Sequence, residues 1–152
     1  VVFSQWVGML DLVEYDLKQN GINFTRLDGS LSQKKRTEVL HQFKTDSSLA
    51  VFLISLKAGG VGLNLTMANH VFLIDPWWNP AVEDQAVERV HRIGQKKKVE
   101  IIRFICSQTV EERIIELHQQ KKDLFDSTIS RNQEEKKALN IENFKYLMQN
   151  YQ

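Results

Sequence analysis

The sequence predicts an α/β fold, a doubly wound and mostly parallel sheet with C-terminal helices. Apolar, β-branched runs alternate along the chain with segments of helical period, the pattern of strands joined by helical crossovers. Two of those runs, Val51–Ile54 and Val71–Ile74, both read VFLI and lack apolar–polar alternation, as expected of strands covered on both faces. A glycine-rich loop, Gly59-Gly60-Val61-Gly62, lies between them, so the carboxyl ends of the strands become the place to look for a ligand.

Each element has its own signal. Val1–Ser4 is a β-branched and aromatic strand, followed by Trp6, Met9, Leu10, Val13 and Leu17 at spacings that share one helical face. Gly21 stands where that helix should stop. Phe24–Leu27 reads as a strand, Asp28-Gly29 as its turn, and Ser30-x-x-Gln33 as a capping box opening a helix to about Phe43. Thr45–Ser48 is a polar loop before the first VFLI strand. The second VFLI strand runs to Asp75, and a helix starts at Pro80 with Asn79 as its cap. Ile101–Cys106 is a further strand. Thr109-x-x-Glu112 is a second capping box, opening a long helix whose apolar side carries Val110, Ile114, Leu117, Leu124 and Phe125. A polar tract, Ser130–Lys137, precedes a small closing helix near Ile141–Met148.

Composition bounds the function. With 152 residues, 42% hydrophobic and 26% charged, the chain is about one domain long. Its formal net charge of +1 points to no partner, so a nucleic-acid surface would depend on local placement of Lys and Arg. A single cysteine, Cys106, excludes an internal disulfide framework and a cysteine-rich zinc site, and favours a reducing, intracellular setting. No apolar run approaches the roughly 18 to 20 residues of a membrane span, and the start lacks the regions of a signal peptide. The opening VVFS, without Met, reads as a piece of a longer protein.

The chemistry concentrates in Leu53–Gln95. Gln85, Arg89 and Arg92 stand at i, i+4 and i+7, which on a continuous helix places them on one face beside an apolar stripe of Val82, Ala86, Val90 and Ile93. Guanidiniums held there can reach across a cleft to a phosphate, whose charge a planar fork of donors matches better than an ammonium does. Such a face is otherwise an ordinary solvated surface, with Glu88 partnering Arg92. The glycines let backbone N–H groups approach an anion, yet no Gly-Lys-Ser/Thr follows, and Leu65 replaces the last small residue of a dinucleotide fingerprint. Gly29-Ser30, at a helix start with Lys34, Lys35 and Arg36 close in sequence, can hold a nucleic-acid phosphate. Trp77 and Trp78 lie between a strand and Pro80, where tryptophan is more often core packing than a base contact. Lys96–Lys98 reads as a solvated loop, and His41, His70 and His118 as packing or surface residues. His91 has no second ligand at metal spacing, so no metal site is assigned.

These strings together resemble the second, C-terminal RecA-like lobe of the Swi/Snf-related DNA translocases, ATPases of helicase superfamily two, over roughly residues 1–125. Phe3-Ser4-Gln5 is similar to the family's fourth motif and Leu27-Asp28-Gly29-Ser30 to the segment after it. Ser55-Leu56-Lys57-Ala58-Gly59-Gly60-Val61-Gly62-Leu63-Asn64-Leu65 is similar to the fifth motif. Asp75-Pro76-Trp77-Trp78-Asn79-Pro80 resembles the aromatic turn, and Gln85-x-x-x-Arg89-x-His91-Arg92-x-Gly94-Gln95 the sixth motif. The resemblance implies a lobe over 1–108 and bracing helices with a tail over 109–152. It implies Arg89 and Arg92 as arginine fingers, Gln85, Gly62 and Asn64 on the nucleotide side, and Gly29, Ser30, Ser55, Lys57 and Trp78 on DNA. ATP with Mg²⁺ would be held mainly by a first lobe of the same protein, this fragment alone being inactive. Double-stranded DNA, nucleosomes and that first lobe are the implied partners, with no membrane and a nuclear location. VEERIIELHQQKKDLFDSTIS resembles the DNA-repair branch, whose members often carry a RING finger between the lobes, while chromatin remodelling stays open. A non-catalytic interaction module, a strand-separating helicase and a dinucleotide- or methyl-donor-binding enzyme are the competing readings.

Overall fold

A computed structural model describes residues 1–58 and 62–127 and, in the last helix, side chains as far as residue 120. The expected polar tract Ser130–Lys137, the closing helix near Ile141–Met148, and the side chains of Leu124 and Phe125 lie outside the described residues, as do Gly59, Gly60 and Val61. The chain divides into two units, one of Val1–Asp75 with Ala81–Phe104, the other of Pro76–Pro80 with the chain from Ile105 onward.

Among the described residues the first unit holds a five-stranded sheet formed by β1 (Val2–Ser4), β2 (Phe24–Leu27), β3 (Val51–Ser55), β4 (His70–Leu73) and β5 (Glu100–Arg103). Their spatial order is β2-β3-β1-β4-β5 and every pairing is parallel, as the sequence predicts. Phe3, Leu27, Phe52, Leu53, Ile54, Val71 and Leu73 are buried along the strands; Phe52–Ser55 of β3 are buried in succession, as its unbroken apolar text predicts, whereas β4 alternates, with Phe72 half-buried between Val71 and Leu73. No α-helix is assigned among the described residues between β3 and β4. Instead Leu56, Ala58, Leu63 and Leu65 are buried in that irregular crossover, so loop side chains do the covering expected of a helix. β4 ends one residue before the predicted Ile74, and β5 is displaced from the predicted Ile101–Cys106. Its residues pair only with β4, and all four are exposed, as suits an edge strand.

Helix α1 (Val7–Gln19) packs on β1 and β3, with Leu10 buried and Met9, Val13 and Leu17 half-buried. Trp6, placed on that face by spacing, is instead the cap position in an extended conformation and is 62% exposed. At the other end Gly21 adopts φ +65. Its N–H bonds the Lys18 carbonyl, while the Ile22 N–H bonds the Leu17 carbonyl, closing a Schellman motif. Helix α2 (Gln33–Thr45) packs on β2, and Phe43 meets Phe52 with ring centroids 4.6 Å apart. Its cap is Ser32, whose Oγ accepts from the Lys35 N–H, and not the predicted Ser30. Ser30 is already engaged: Asp28 Oδ1 takes both its N–H and its hydroxyl, which moves the helix start two residues along.

Helix α3 (Pro80–Val87) starts at the predicted proline. In the second unit, α4 (Val110–Ser127) buries Leu117 and His118, while Val110 is 46% exposed rather than on the apolar side. Thr109 caps this helix, its Oγ1 accepting from the Glu111 N–H. Glu111 reaches back as well, accepting from the N–H of the exposed Cys106 at 2.8 Å. The Glu111 carboxylate pushes the Cys106 thiol above its ordinary pKa.

A Cβ at Gly21 would meet nothing within 4 Å, so the only cost of a side chain there is its left-handed backbone. Gly21→Ala should lower the unfolding free energy by roughly 1–2 kcal/mol in urea titrations, with Gly21→Asn losing less. Equal losses in the two variants would deny that backbone conformation is the cause.

Candidate functional site

The carboxyl edge of the sheet carries a polar residue at or just beyond the end of each of four neighbouring strands: Ser4, Asp28, Ser55 and Asp75. All four are buried, at 0%, 6%, 3% and 8% exposure respectively. Buried polar groups have to be paired, and each of these is. The chain leaves β1 toward β2 on one side and β4 toward β5 on the other, so the switch point of the sheet falls between β1 and β4. Asp75 bridges it. Its Oδ1 accepts from the Gln5 N–H at 2.7 Å and its Oδ2 from the Ser4 hydroxyl, while Ser4 Oγ accepts from the Trp6 N–H at 3.0 Å. The motif positions Phe3-Ser4-Gln5 and Asp75 thus belong to one hydrogen-bonded cluster.

Beyond β2, Asp28 organises the next loop. Oδ1 accepts from the Ser30 N–H at 2.9 Å and the Ser30 hydroxyl at 2.6 Å, and Oδ2 accepts from Arg26 Nε at 2.8 Å. The same guanidinium meets Asp11 at 2.6 Å and Glu14 at 2.8 Å on α1. Burial alone would raise the Asp28 pKa, but the bonds from Ser30 and Arg26 outweigh it and hold the carboxyl below its ordinary value. Burial likewise opposes the Arg26 charge, and its carboxylate partners more than compensate, raising its pKa. Glu14 is lowered, first by its bond to Lys18 and then by Arg26. Gly29 and Ser30 are both exposed, yet the two Ser30 donors expected to face a phosphate are already turned onto Asp28.

Beyond β3, Ser55 is buried and its Oγ accepts from the Ala58 N–H at 3.3 Å, so its hydroxyl supports the loop from inside instead of facing a groove. Lys57 is exposed. The Ala58 carbonyl accepts from Arg36 Nη2 at 3.0 Å. Past the glycines, Gly62 and Asn64 are exposed, and Asn64 Oδ1 accepts from the Thr66 N–H and hydroxyl at 3.2 and 2.8 Å. Leu65 is fully buried, and its N–H donates to the Arg89 carbonyl at 2.9 Å.

The arginine segment departs from the helical expectation. Helix α3 ends at Val87, where the ladder tightens: Arg89 N–H bonds the Ala86 carbonyl and Val90 N–H the Val87 carbonyl. Gln85 is therefore exposed on the helix, Arg89 is half-buried in the turn after it, and Arg92 is exposed in the following bend. The common helical face does not exist. The proposed stripe holds at Ala86 and Val90, which are buried together with Glu83, but Val82 is half-buried and Ile93 is fully exposed. Gln95 closes the segment. Its Nε2 donates to the Ala68 carbonyl at 2.7 Å and the Val90 carbonyl at 3.3 Å, and its Oε1 accepts from the Lys97 N–H at 2.9 Å. The glycine loop's exit and the arginine turn are thus stitched at Leu65–Arg89 and again through Gln95.

Sequence reasoning missed several of these supports. Glu83, 1% exposed, takes Arg103 Nε at 3.1 Å and ties α3 to β5. Its spacing with Ala86 and Val90, three and seven residues, was the available signal, masked by the habit of reading only apolar residues as core. Arg36 and Gln95 offered no signal, because their partners are backbone carbonyls 22 and 27 residues away.

Within the second unit, Trp77 is half-buried and Trp78 is 44% exposed, with ring centroids 5.9 Å apart. His118 Nε2 lies 2.6 Å from the Trp77 carbonyl, which makes it a packing histidine. Among the described residues no group of three His, Cys, Asp or Glu is arranged to hold a metal, and no helix is long and apolar enough to cross a membrane.

Residues 1–94 match the helicase conserved C-terminal domain. The chain is 50% identical over 147 residues to DNA repair protein RAD5A of Arabidopsis thaliana, covering 97% of this chain and 14% of that protein. It is 48% identical over 151 residues to a SWI/SNF-related matrix-associated actin-dependent regulator of chromatin, subfamily A member 3-like 1, also of Arabidopsis thaliana, covering 97% and 17%. Among solved structures, the C-terminal part of the Fun30 ATPase domain is similar at a TM-score of 0.74 and 39% identity, over 76% of this chain and 37% of that one. The chain spans under a fifth of the length of these curated relatives. The RecA-like fold and the resemblance to Swi/Snf-related ATPases and their DNA-repair members are borne out.

The Asp28 cluster has a pH signature. A carboxyl held below its ordinary value of 3.8 contributes stability that is full above that value and is lost as pH falls through the folded one. Asp28→Asn should therefore be less stable than the parent at neutral pH, and the gap in urea midpoints should shrink as pH falls below about 3.8. A gap that widens in acid would mean that burial, and not the bonds from Ser30 and Arg26, governs this group.

Proposed function

The chain belongs to the helicase conserved C-terminal domain family, and from that membership we propose that it is the C-terminal lobe of an ATP-dependent double-stranded-DNA translocase. The observation that carries the reading is the stitched arginine segment, in which Arg89 and Arg92 follow a helix anchored by Glu83–Arg103 and are tied to the glycine loop's exit. Two guanidiniums on a supported turn, one half-buried and one open, suit a triphosphate on a facing lobe. Arg92 is the finger and Arg89 its inner partner, with Gln85, Gly62 and Asn64, all exposed, facing the nucleotide.

ATP fits this side only as a partial site. The residues here offer cationic and amide donors, and the reading assigns Mg²⁺ and most of the triphosphate to the first lobe. Bound ATP would supply the phosphoanhydride bond whose hydrolysis drives movement. The residues here contribute positive charge and orientation when the lobes close, and the chain alone does not turn over. A finger of this type is worth about 10³ to 10⁵ in rate.

On the DNA side, the exposed Lys57 and Gly29 of the first unit suit contacts to one strand's phosphates, giving sequence-independent tracking, with Ser30 held by Asp28 as the support of its turn. In the second unit the exposed Trp78 is the aromatic candidate for DNA. Ser55 supports the Lys57 loop from beneath. The reading assigns residues 1–108 to the lobe and 109–152 to a C-terminal segment that follows it. The names of the relatives, a DNA repair protein and a regulator of chromatin, support nuclear work on duplex DNA or nucleosomes.

In the full protein, Arg92→Ala is expected to cut DNA-stimulated hydrolysis by about 10³ while leaving DNA affinity within about twofold. Near-normal turnover would sink the finger assignment. Triplex displacement without strand separation is expected of the parent, and efficient unwinding would favour a helicase proper.

A further inference from the structure

We propose that Arg36 is a positioning residue coupling the loop after β2 to the loop after β3, and not itself a phosphate contact. Its sequence neighbours Lys34 and Lys35 are exposed on the first turn of α2, but Arg36 is half-buried and turned toward the adjacent loop. Nη2 donates to the Ala58 carbonyl at 3.0 Å, and Ala58 N–H donates to Ser55 Oγ at 3.3 Å. One residue is thus held at both its amide and its carbonyl, from within its own loop on one side and from α2 on the other. Ala58 is 4% exposed, so its carbonyl has little recourse to water if Arg36 is lost.

The register explains why the two loops can share this bond. β2 and β3 are neighbours paired as far as Leu27 and Ile54, so the chain leaves both strands at the same level of the sheet. The Gly29-Ser30 turn leads into α2, and Ala58 immediately precedes the glycines that lead to Gly62 and Asn64. A displacement of the α2 amino end is therefore passed by the guanidinium to the backbone just ahead of the nucleotide-side residues. The inference rests on the DNA reading of these loops given above, and it adds the link by which DNA engagement is sensed on the nucleotide side. A planar fork fixes the angle of such a link, whereas a lysine at the same place would supply one donor on a flexible stem.

The test uses the full protein with Arg36→Ala, Arg36→Lys and, as a control, Lys57→Ala. Hydrolysis is measured with and without duplex DNA, and DNA affinity across a salt series. Arg36→Ala should keep the DNA-independent rate and the salt slope of binding but lose roughly tenfold in DNA-stimulated rate, with Arg36→Lys losing about threefold. Full stimulation in Arg36→Ala overturns the proposal. So does a salt slope lower by about one, which would make Arg36 a phosphate contact, or an equal loss of the DNA-independent rate, which would make it fold support alone. If Arg36→Ala does not fold, Arg36→Lys decides: wild-type stimulation overturns the coupling, and selective loss supports it. Lys57→Ala reports separately on the DNA reading, since an unchanged salt slope there discards that contact without altering the stimulation ratios of the Arg36 variants.

Discussion

The bridge from Asp75 to Ser4 and Gln5 is the constraint on which the carboxyl edge depends. It ties the ends of β1 and β4 together where the connections of the sheet part company, the position at which an open α/β sheet otherwise leaves a crevice. A carboxylate 8% exposed needs partners, and here its oxygens are engaged by the last residue of β1 and the residue after it. With that seam closed, the loops after β2 and β3 lie to one side of it, while α3 and the arginine turn lie on the chain that follows β4. Each flank then has its own ionic anchor, Arg26 with Asp28 on one and Glu83 with Arg103 on the other.

Apart from Gln85 on α3, most of the parts that contact a ligand in the proposed function are short and irregular, and several lean on polar groups behind them. Arg89 and Arg92 are placed by backbone bonds and by the Gln95 amide, and Lys57 by Ser55 beneath its loop. Backbone-directed side chains of this kind fix a loop more stringently than apolar contact does, because a lost partner leaves a desolvated carbonyl behind. That is a physical reason for a motif to contain residues that never meet the substrate.

Much of the fold was legible because its signals are local. The VFLI runs announced parallel strands, the first of them buried without alternation, Gly21 a helix stop, and Pro80 a helix start. The errors came where a distant or competing partner decided the outcome. Ser30 fits a capping box by spacing, but Asp28 takes its donors first. The three-residue spacing of Arg89 and Arg92 fits a helix, but α3 yields to a tight turn once Val90 is drawn into the core. Ser55 lies in a recognisable motif, yet only the three-dimensional loop shows that its hydroxyl points inward. Residue identity marked the motifs, and tertiary hydrogen bonds determined which member of each faces out.

The lone Cys106 thiol acquires a practical meaning from its neighbour. It is exposed and unique in this chain, while the Glu111 carboxylate suppresses its ionisation. Because the thiolate is the reactive form, alkylation there will be slow at neutral pH and quicken in mild alkali. A chemist therefore has a single attachment point for a fluorophore in this chain, in the unit that does not carry the arginines, whose labelling can be timed by pH alone.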